Sequence, residues 1–588
     1  MNPITLWWRL VRFRPGLCAL MHGFYFLYTL SLAFSGLILR AFFDRVADEP
    51  GALVLTTIVL LQLGNTFLAM LGLGGANAIT FYRYQQTIRA LLFHNLFDRI
   101  LAQPGARPLP VAEDMSVGVA LNTLRDDVDQ IFHFHLDWGD LFGFGLTALV
   151  AFVAMVQVSV PITLGVFLPL AAILVIANRL SERVERYRES SRAASGRATG
   201  AIGEIFGAVQ AIQVHNAEER IIAHFRHLNE QRRQATVRDQ LLTRLIDALS
   251  GNTVVIGTAL LLIFAARSLQ SGQFTVGDFA LFVTYIWPIT ELLRNMGGLL
   301  AGYQQTGVSI RRLQRLMQGA PAAQLAAPAP IYLQGPLPDL PTVTREAKDR
   351  LELLEARGLT YRHPQSDNGI TQINLRLERG SLTVITGRIG AGKTTLLRTL
   401  LGLLPNDEGE ITWNGQLVAD PAAFFTPPRV AYTPQTPCLF SESLRDNILL
   451  GWPATATELD EAVGRARLMP DLATMHQGLD TLIGPRGMRL SGGQVQRTAA
   501  ARTFVREPEL LVFDDLSSAL DVETERLLWE KLLSRQPRLT CLVVSHRRLV
   551  LQQADQIILL RNGQVEAIGK LEGLLTHSGE MQQIWETD

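Results

Sequence analysis

No charged residue occurs between Arg14 and Arg40, between Pro50 and Arg83, between Asp140 and Arg179, or between Asp247 and Arg267. A helix that crosses a bilayer needs ~20 mostly apolar residues. Inside lipid, every backbone N–H and C=O must be satisfied by the structure itself, which leaves helices or closed barrels. Apolar runs of this length are helical spans. The first, second and fourth stretches hold one span each. The third is about twice as long and has Pro161 near its middle, so it predicts two helices joined by a tight turn. A sixth span runs from Phe279 to about Gly302, interrupted only by Glu291 and Arg294. Residues 1–318 are therefore expected to form an all-α membrane domain of six helices.

Arginines set the orientation. Those at Arg9 to Arg14, Arg83 to Arg107, Arg179 to Arg244 and Arg311 to Arg315 all fall on one side of a six-span arrangement. The positive-inside rule makes that side cytosolic and puts both termini in the cytosol, in a multi-pass protein of the cytoplasmic (inner) membrane surrounded by lipid. Trp7, Trp8 and the arginines precede a long apolar run without a small-residue cleavage site, so a cleavable signal is not expected. Two cytosolic connections are long, Tyr82 to Asp140 and Arg179 to Asp247. Both have a helical pattern and would carry the spans tens of Å beyond the bilayer at ~1.5 Å per residue.

Within the spans, Glu291 and Arg294 lie three apart on one helical face, either as a self-neutralising pair or as part of a polar cavity lining. His133 and Asp137 also share a face, but no further ligand stands at a recognisable spacing, and no metal is expected there. Residues 319–346 are rich in proline and alanine and read as an extended linker. The balance of 54 Lys and Arg against 54 Asp and Glu creates no global field, and no nucleic-acid partner is expected. Cys18, Cys438 and Cys541 have neither disulfide-framework nor metal-ligand spacing.

Residues 347–588 alternate strand and helix patterns, as an α/β domain does. An apolar run from Leu382 to Thr386 passes through Gly387, Arg388, Ile389, Gly390, Ala391 and Gly392 into Lys393, Thr394 and Thr395, and a leucine-rich helical pattern follows. This is the P-loop pattern in its strand–loop–helix context. Glycines let consecutive N–H groups wrap phosphates, Lys393 reaches the β- and γ-phosphates, and the Thr394 hydroxyl ligates Mg²⁺. The cofactors expected are ATP and Mg²⁺.

Further on come Leu490-Ser491-Gly492-Gly493-Gln494, then Leu510 to Asp514 and Asp515, Ser518 to Asp521, and Leu542 to His546. Four motifs in this order resemble those of the ATP-binding cassette (ABC) exporters, and six spans ahead of one cassette match the half-transporters of that family. The resemblance implies that Tyr361 stacks on adenine, that Gln435 contacts Mg²⁺ and the attacking water, that Asp514 holds Mg²⁺, and that His546 contacts the γ-phosphate. It also implies that Ser491 to Gln494 cover the nucleotide of a second cassette, so the chain works as a dimer. Ala208 to Arg220 resemble the segment whose short helix docks on the partner's cassette; Pro108 to Asp114 are a weaker counterpart.

Two departures from the family pattern matter. The family's catalytic base is a glutamate directly after the strand-end aspartate; here that residue is Asp515, one methylene shorter. A carboxylate set back by about one C–C bond, ~1.5 Å, can cost on the order of 100-fold in rate. Gly484 to Gly487 also lack the glutamate usual before the signature. An altered base beside an intact signature favours a heterodimer with one slow and one active site, with a slow homodimer as the alternative. A regulatory nucleotide-binding subunit that gates a partner is a rival supported only by Asp515, and Lys393, Asp514, Gln435 and His546 speak against it. The transported substrate is not legible, although the lack of a peptidase pattern before the first span disfavours leader-cleaving exporters.

The topology has a direct test. A cysteine introduced at Ser271 should react with an impermeant thiol reagent applied to intact cells, and one at Asn229 should not. Labelling at Asn229 from outside would refute the six-span arrangement.

Overall fold

The computed structural model describes residues 1–47, 51–102, 123–317, 320–338, 345–363, 366, 368–484, 489–516, 520–534 and 538–587. Pro108 to Asp114 and Pro485 to Gly487 lie outside them. The chain divides into two compact units, with the change between Pro336 and Leu337.

The first unit is helical. A short helix, α1 (Pro3–Phe13), begins at Asn2, whose side chain accepts from the Ile4 N–H at 2.9 Å, and it buries Leu6 and Leu10. Long helices follow: α2 (Pro15–Ala47), α3 (Ala52–Gly74), α4 (Tyr82–Ala102), α5 (Val128–Val158) and α6 (Val160–Gly207). After the six-residue α7 (Val209–Val214) come α8 (Glu218–Gly251), α9 (Thr253–Gln270) and α10 (Val276–Leu316). Among the described residues, five helices are long and apolar enough to cross a membrane. The sixth expected span corresponds to the shorter apolar start, Val160–Ile173, of α6. The break expected near Pro161 is at Ser159, which is extended and leaves Pro161 in the first turn of α6, where its missing N–H is harmless. At 48 residues, α6 reaches ~72 Å, far more than a bilayer requires.

Dispersion and a few buried polar groups hold the spans together, as expected where lipid removes the hydrophobic drive for helix association. The Thr147 hydroxyl donates to the Thr29 carbonyl at 2.7 Å, and Asn65 Nδ2 to the Ser31 carbonyl at 2.9 Å. Arg40 Nη2 pairs with Asp278 Oδ1 at 2.9 Å, joining two segments assigned to the same outer side. Glu291 and Arg294 pair with each other, as the first of the two readings expected. Leu60, Leu61, Leu63, Phe67 and Met70 of α3 are exposed, a face suited to lipid.

One expectation is corrected. The linker predicted as extended begins with a helical turn, Ala322–Ala326, that buries Leu325 and Ala326 in the helical core. Asn95 Nδ2 donates to the carbonyls of Leu325 and Ala327 at 3.0 and 2.9 Å, so the small apolar residues gain both a groove and a backbone partner.

Among the described residues, the second unit contains two sheets. Four antiparallel strands lie in the order β2 (Gly369–Glu378), β1 (Leu353–Arg362), β4 (Glu408–Trp413) and β5 (Gln416–Leu417). The other sheet has β3 (Leu382–Thr386), β6 (Val430–Thr433), β7 (Leu510–Asp514), β8 (Thr540–Val544), β9 (Gln556–Arg561) and β10 (Gln564–Gly569) in the order β10-β9-β3-β8-β7-β6. All its pairings are parallel except β9 with β10. Every residue of β3, β7 and β8 is buried, which explains their unbroken apolar character.

Close approach of α2 and α3 depends on Gly72, where a Cβ would lie 2.5 Å from the Tyr28 nitrogen and 2.8 Å from the Phe24 carbonyl oxygen. Gly72→Ala should destabilise the purified protein by ~1–3 kcal/mol, seen as a lower Tm. Gly64→Ala, on the same helix with nothing within 4 Å of its Cβ, should not lower it.

Candidate active site

The polar residues singled out in the sequence emerge at the C-terminal ends of four adjacent parallel strands. The P-loop follows β3, His546 follows β8, Asp514 ends β7 with Asp515 next, and Gln435 follows β6. Ligands of open α/β sheets bind at this edge.

The loop from Gly387 to Gly392 turns into helix α11 (Lys393–Leu400). Gly392 has φ 98°, a conformation strained for residues with a Cβ, and a Cβ there would stand 3.1 Å from Ile370. Lys393 Nζ donates to the carbonyls of Gly387 and Arg388 at 2.6 and 2.8 Å. Burial lowers the Lys393 pKa, opposed by the carboxylates of Asp515 and Asp514. An anion bound in the loop would supply the missing counter-charge, aided by the positive end of α11. Ile389 is exposed at the loop tip, Ala391 is buried in the core, and Thr395 accepts from the Thr399 hydroxyl. Arg388 Nε pairs with Glu580 Oε1 at 2.6 Å, and its Nη2 donates to Gln583; both partners belong to a later helix (Gly579–Thr587).

The Thr394 hydroxyl donates to Asp514 Oδ1 at 3.1 Å, and the Tyr432 hydroxyl to Oδ2 at 3.4 Å. Burial raises the Asp514 pKa, while Thr394, Arg398 and Tyr432 oppose the shift. Burial, reinforced by Asp514, also pushes Tyr432 up to about 12, so it remains a neutral donor. A hydroxyl and a carboxylate side by side form the hard oxygen set that Mg²⁺ prefers. Asp515 sits at φ 56°, which aspartate tolerates, with its N–H donating to the Val544 carbonyl at 3.1 Å. Its Oδ2 accepts from Gln435 Nε2 at 3.4 Å, and its Oδ1 is buried without a hydrogen-bond partner among the described residues. Gln435 and His546 are exposed.

After β6 comes the short helix α12 (Leu444–Leu449), and ahead of β7 lies α13 (Gly492–Phe504). Ser491 caps α13 in a reciprocal box: its Oγ accepts from the Gln494 N–H, and Gln494 Oε1 accepts from the Ser491 N–H at 2.9 Å. Ser491 and Gly492 are exposed, and Gly493 is buried. The cap rests on Asp471, which accepts from Gln494 Nε2 at 3.0 Å and from Nε and Nη2 of Arg497. Sequence reasoning missed a tie between this helix and α12. Arg502 Nε donates to the Asn447 carbonyl at 2.8 Å, and Arg506 to the Ile448 and Leu449 carbonyls at 3.1 and 2.9 Å. Burial, helped by Arg502, lowers the Arg506 pKa to about 10, still well above neutrality.

The structure buries one expected site residue. Tyr361, expected to stack on adenine, is 6% exposed and packs inside the cassette core with Leu359, Ile370 and Ile373. The partly exposed ring at the end of β1 is that of His363, 4.9 Å from the Tyr361 ring. Arg362, beside it, pairs with Gly369, whose carbonyl borders Gly392 of the P-loop.

The family model described as ABC transporter transmembrane region matches residues 16–290, and the one described as ABC transporter matches residues 370–518. An "ATP-dependent lipid A-core flippase" of Xanthomonas campestris pv. campestris (strain 8004) is 25% identical over 513 residues, 86% of this chain and 84% of that protein. A "Probable multidrug resistance ABC transporter ATP-binding/permease protein YheI" of Bacillus subtilis (strain 168) is 26% identical over 440 residues, 73% of this chain and 71% of that one. A solved structure, "Structure of a bacterial Atm1-family ABC exporter with ATP bound", superposes with TM-score 0.74 at 23% identity and covers 98% of each chain, a likeness of fold.

Tyr361→Ala should destabilise the nucleotide-free protein by ~3–5 kcal/mol, the usual cost of deleting a core aromatic ring. Tyr361→Phe should recover most of that and leave ATP affinity unchanged. Lys393→Ala should do the reverse, weakening ATP binding without lowering the nucleotide-free Tm. Calorimetric unfolding and ATP titration distinguish the outcomes; a loss of ATP affinity in Tyr361→Leu, which removes the ring but keeps the core apolar, would return the ring to the binding site.

Proposed function

We propose, from the premise that this chain belongs to the ABC transporter family, that it is one half of a heterodimeric exporter whose own P-loop site turns over slowly. The membrane unit fused to a cassette has half-transporter architecture, and the cassette is an ATPase coupled to transport. The chain is a multi-pass membrane protein. The arginine distribution supports a cytoplasmic-membrane location with termini and cassette in the cytosol.

The observation that carries the reading is Asp515 beside an intact signature. In this assignment Lys393 and the P-loop N–H groups hold the phosphates of ATP, and His546 contacts the γ-phosphate. Gln435 orients water toward the Asp515 carboxylate, which accepts its proton. Thr394, Asp514 and Gln435 would hold Mg²⁺, which supplies neutralisation of charge on the β- and γ-phosphates. His363, at the strand end beside the P-loop, takes the adenine-facing position that Tyr361 vacates. The aspartate side chain is too short by one methylene, so proton removal is slow at this site. Ser491, Gly492, Gly493 and Gln494 complete the site of the partner half-transporter. The exposed α7, whose last residue Val214 is 81% exposed, is a docking element for the partner's cassette.

Steady-state ATPase of the purified complex tests the pairing. In a mixed dimer Asp515→Asn should change total turnover little, while Ser491→Arg should nearly abolish it. In a homodimer both substitutions hit every site and both should be severe. Asp515→Glu should raise turnover if side-chain length alone limits this site. Equal losses from Asp515→Asn and Ser491→Arg would refute the heterodimer and leave a slow homodimer.

A further inference from the structure

A second group of reactive side chains lies where α2 meets α5, in the helical unit. Cys18 and His22 stand one turn apart on α2, and His135 faces them from α5. Cys18 Sγ is 3.5 Å from His22 Nδ1 and 3.8 Å from His135 Nε2, and the three ligand atoms all lie within 4.8 Å of one another. Two ligand atoms bound to one ion at ~2.0–2.3 Å stand ~3.3–3.8 Å apart, so the two cysteine–histidine separations are already those of ligands sharing a metal. Cys18 is 6% and His135 2% exposed, and His135 Nδ1 is buried without a partner among the described residues. The Tyr84 ring lies 4.9 Å from that of His135, and the Trp7 ring 6.0 Å away. His22 is partly exposed and meets a cavity of ≈ 620 Å³ lined by Trp7, Cys18, Tyr25, Trp138 and Phe142, which gives an ion a way in.

We infer that Cys18, His22 and His135 form a thiolate–imidazole site for copper(I). One thiolate, two neutral imidazoles and a monovalent ion sum to zero, whereas a divalent ion would leave a net charge among aromatic walls, which is costly. Asp140, on the same helix as His135, is engaged elsewhere, accepting a short hydrogen bond from the Tyr25 hydroxyl. Sulfur and imidazole donors select soft copper(I). Binding releases the Cys18 thiol proton. His22 Nδ1 lies 2.9 Å from the Cys18 carbonyl oxygen, the contact of an N–H donor, so ligation through this nitrogen replaces that hydrogen bond and takes the tautomer protonated at Nε2.

The test is an anaerobic copper(I) titration of the full chain in detergent, in competition with the chromogenic chelator bicinchoninate. A Cys438→Ser background removes the exposed thiol. The parent should retain one copper(I) per chain, and Cys18→Ser, His135→Gln and the cavity-facing His22→Gln should each lose it while still binding ATP. No retention by the parent, retention by Cys18→Ser, or displacement of copper(I) by equimolar zinc(II) would overturn the assignment. Should His135→Gln fail to fold, His22→Gln, partly exposed, decides the outcome.

Discussion

The catalytic half of the molecule depends on parallel pairing around β3. This strand lies between β8 and β9, with Leu382 to Ile385 in register with Cys541 to Val544. That pairing sets the end of β3 beside the end of β8, and β8 in turn carries β7 alongside. Sequence segments far apart therefore deliver a lysine, a histidine and two carboxylates to one sheet edge. A slip of one residue would turn each side chain to the opposite face, away from the gap it fills, so close packing on both sides fixes the register. Phosphate chemistry at this edge follows from packing beneath it.

The helical unit answers a different constraint. Lipid supplies no water to its backbone and little drive for helix association, so contacts are few and specific: glycine at close crossings, threonine and asparagine across helices, and ion pairs at the ends. The same economy lets Cys18, His22 and His135 meet at an aromatic-lined crossing. Packing of this kind leaves large apolar faces such as that of α3 free for lipid.

Residues placed by one contiguous motif were legible in the sequence as to position: the P-loop, Asp514, Asp515 and the capped signature each carry their own local geometry. Tyr361 was not. β1 has register irregularities on either side of Leu359, and Leu359, Thr360 and Tyr361 are all buried, so alternation does not reveal which ring faces outward. The proline after His363 marked the strand end, and with it the ring beyond. The folded start of the linker depends on Asn95, far upstream, and no local pattern signals it. His135 lies between His133 and Asp137, whose shared helical face is the feature local spacing reveals. The residues it meets are Cys18 and His22, more than a hundred positions earlier.

Arg388 couples the two ends of the cassette. It is part of the phosphate-binding loop, yet its guanidinium is paired with Glu580, whose side chain is 5% exposed. Pulling Arg388 toward a nucleotide would strand a buried carboxylate, and fixing it to Glu580 restrains the loop. Thermodynamic reciprocity makes this a two-way lever: whatever loosens the helix Gly579–Thr587 changes nucleotide affinity by the factor with which nucleotide loosens the helix. A fusion or label joined to that helix is thus a ligand of the phosphate loop at one remove, and where an investigator attaches it becomes a variable of the ATPase assay.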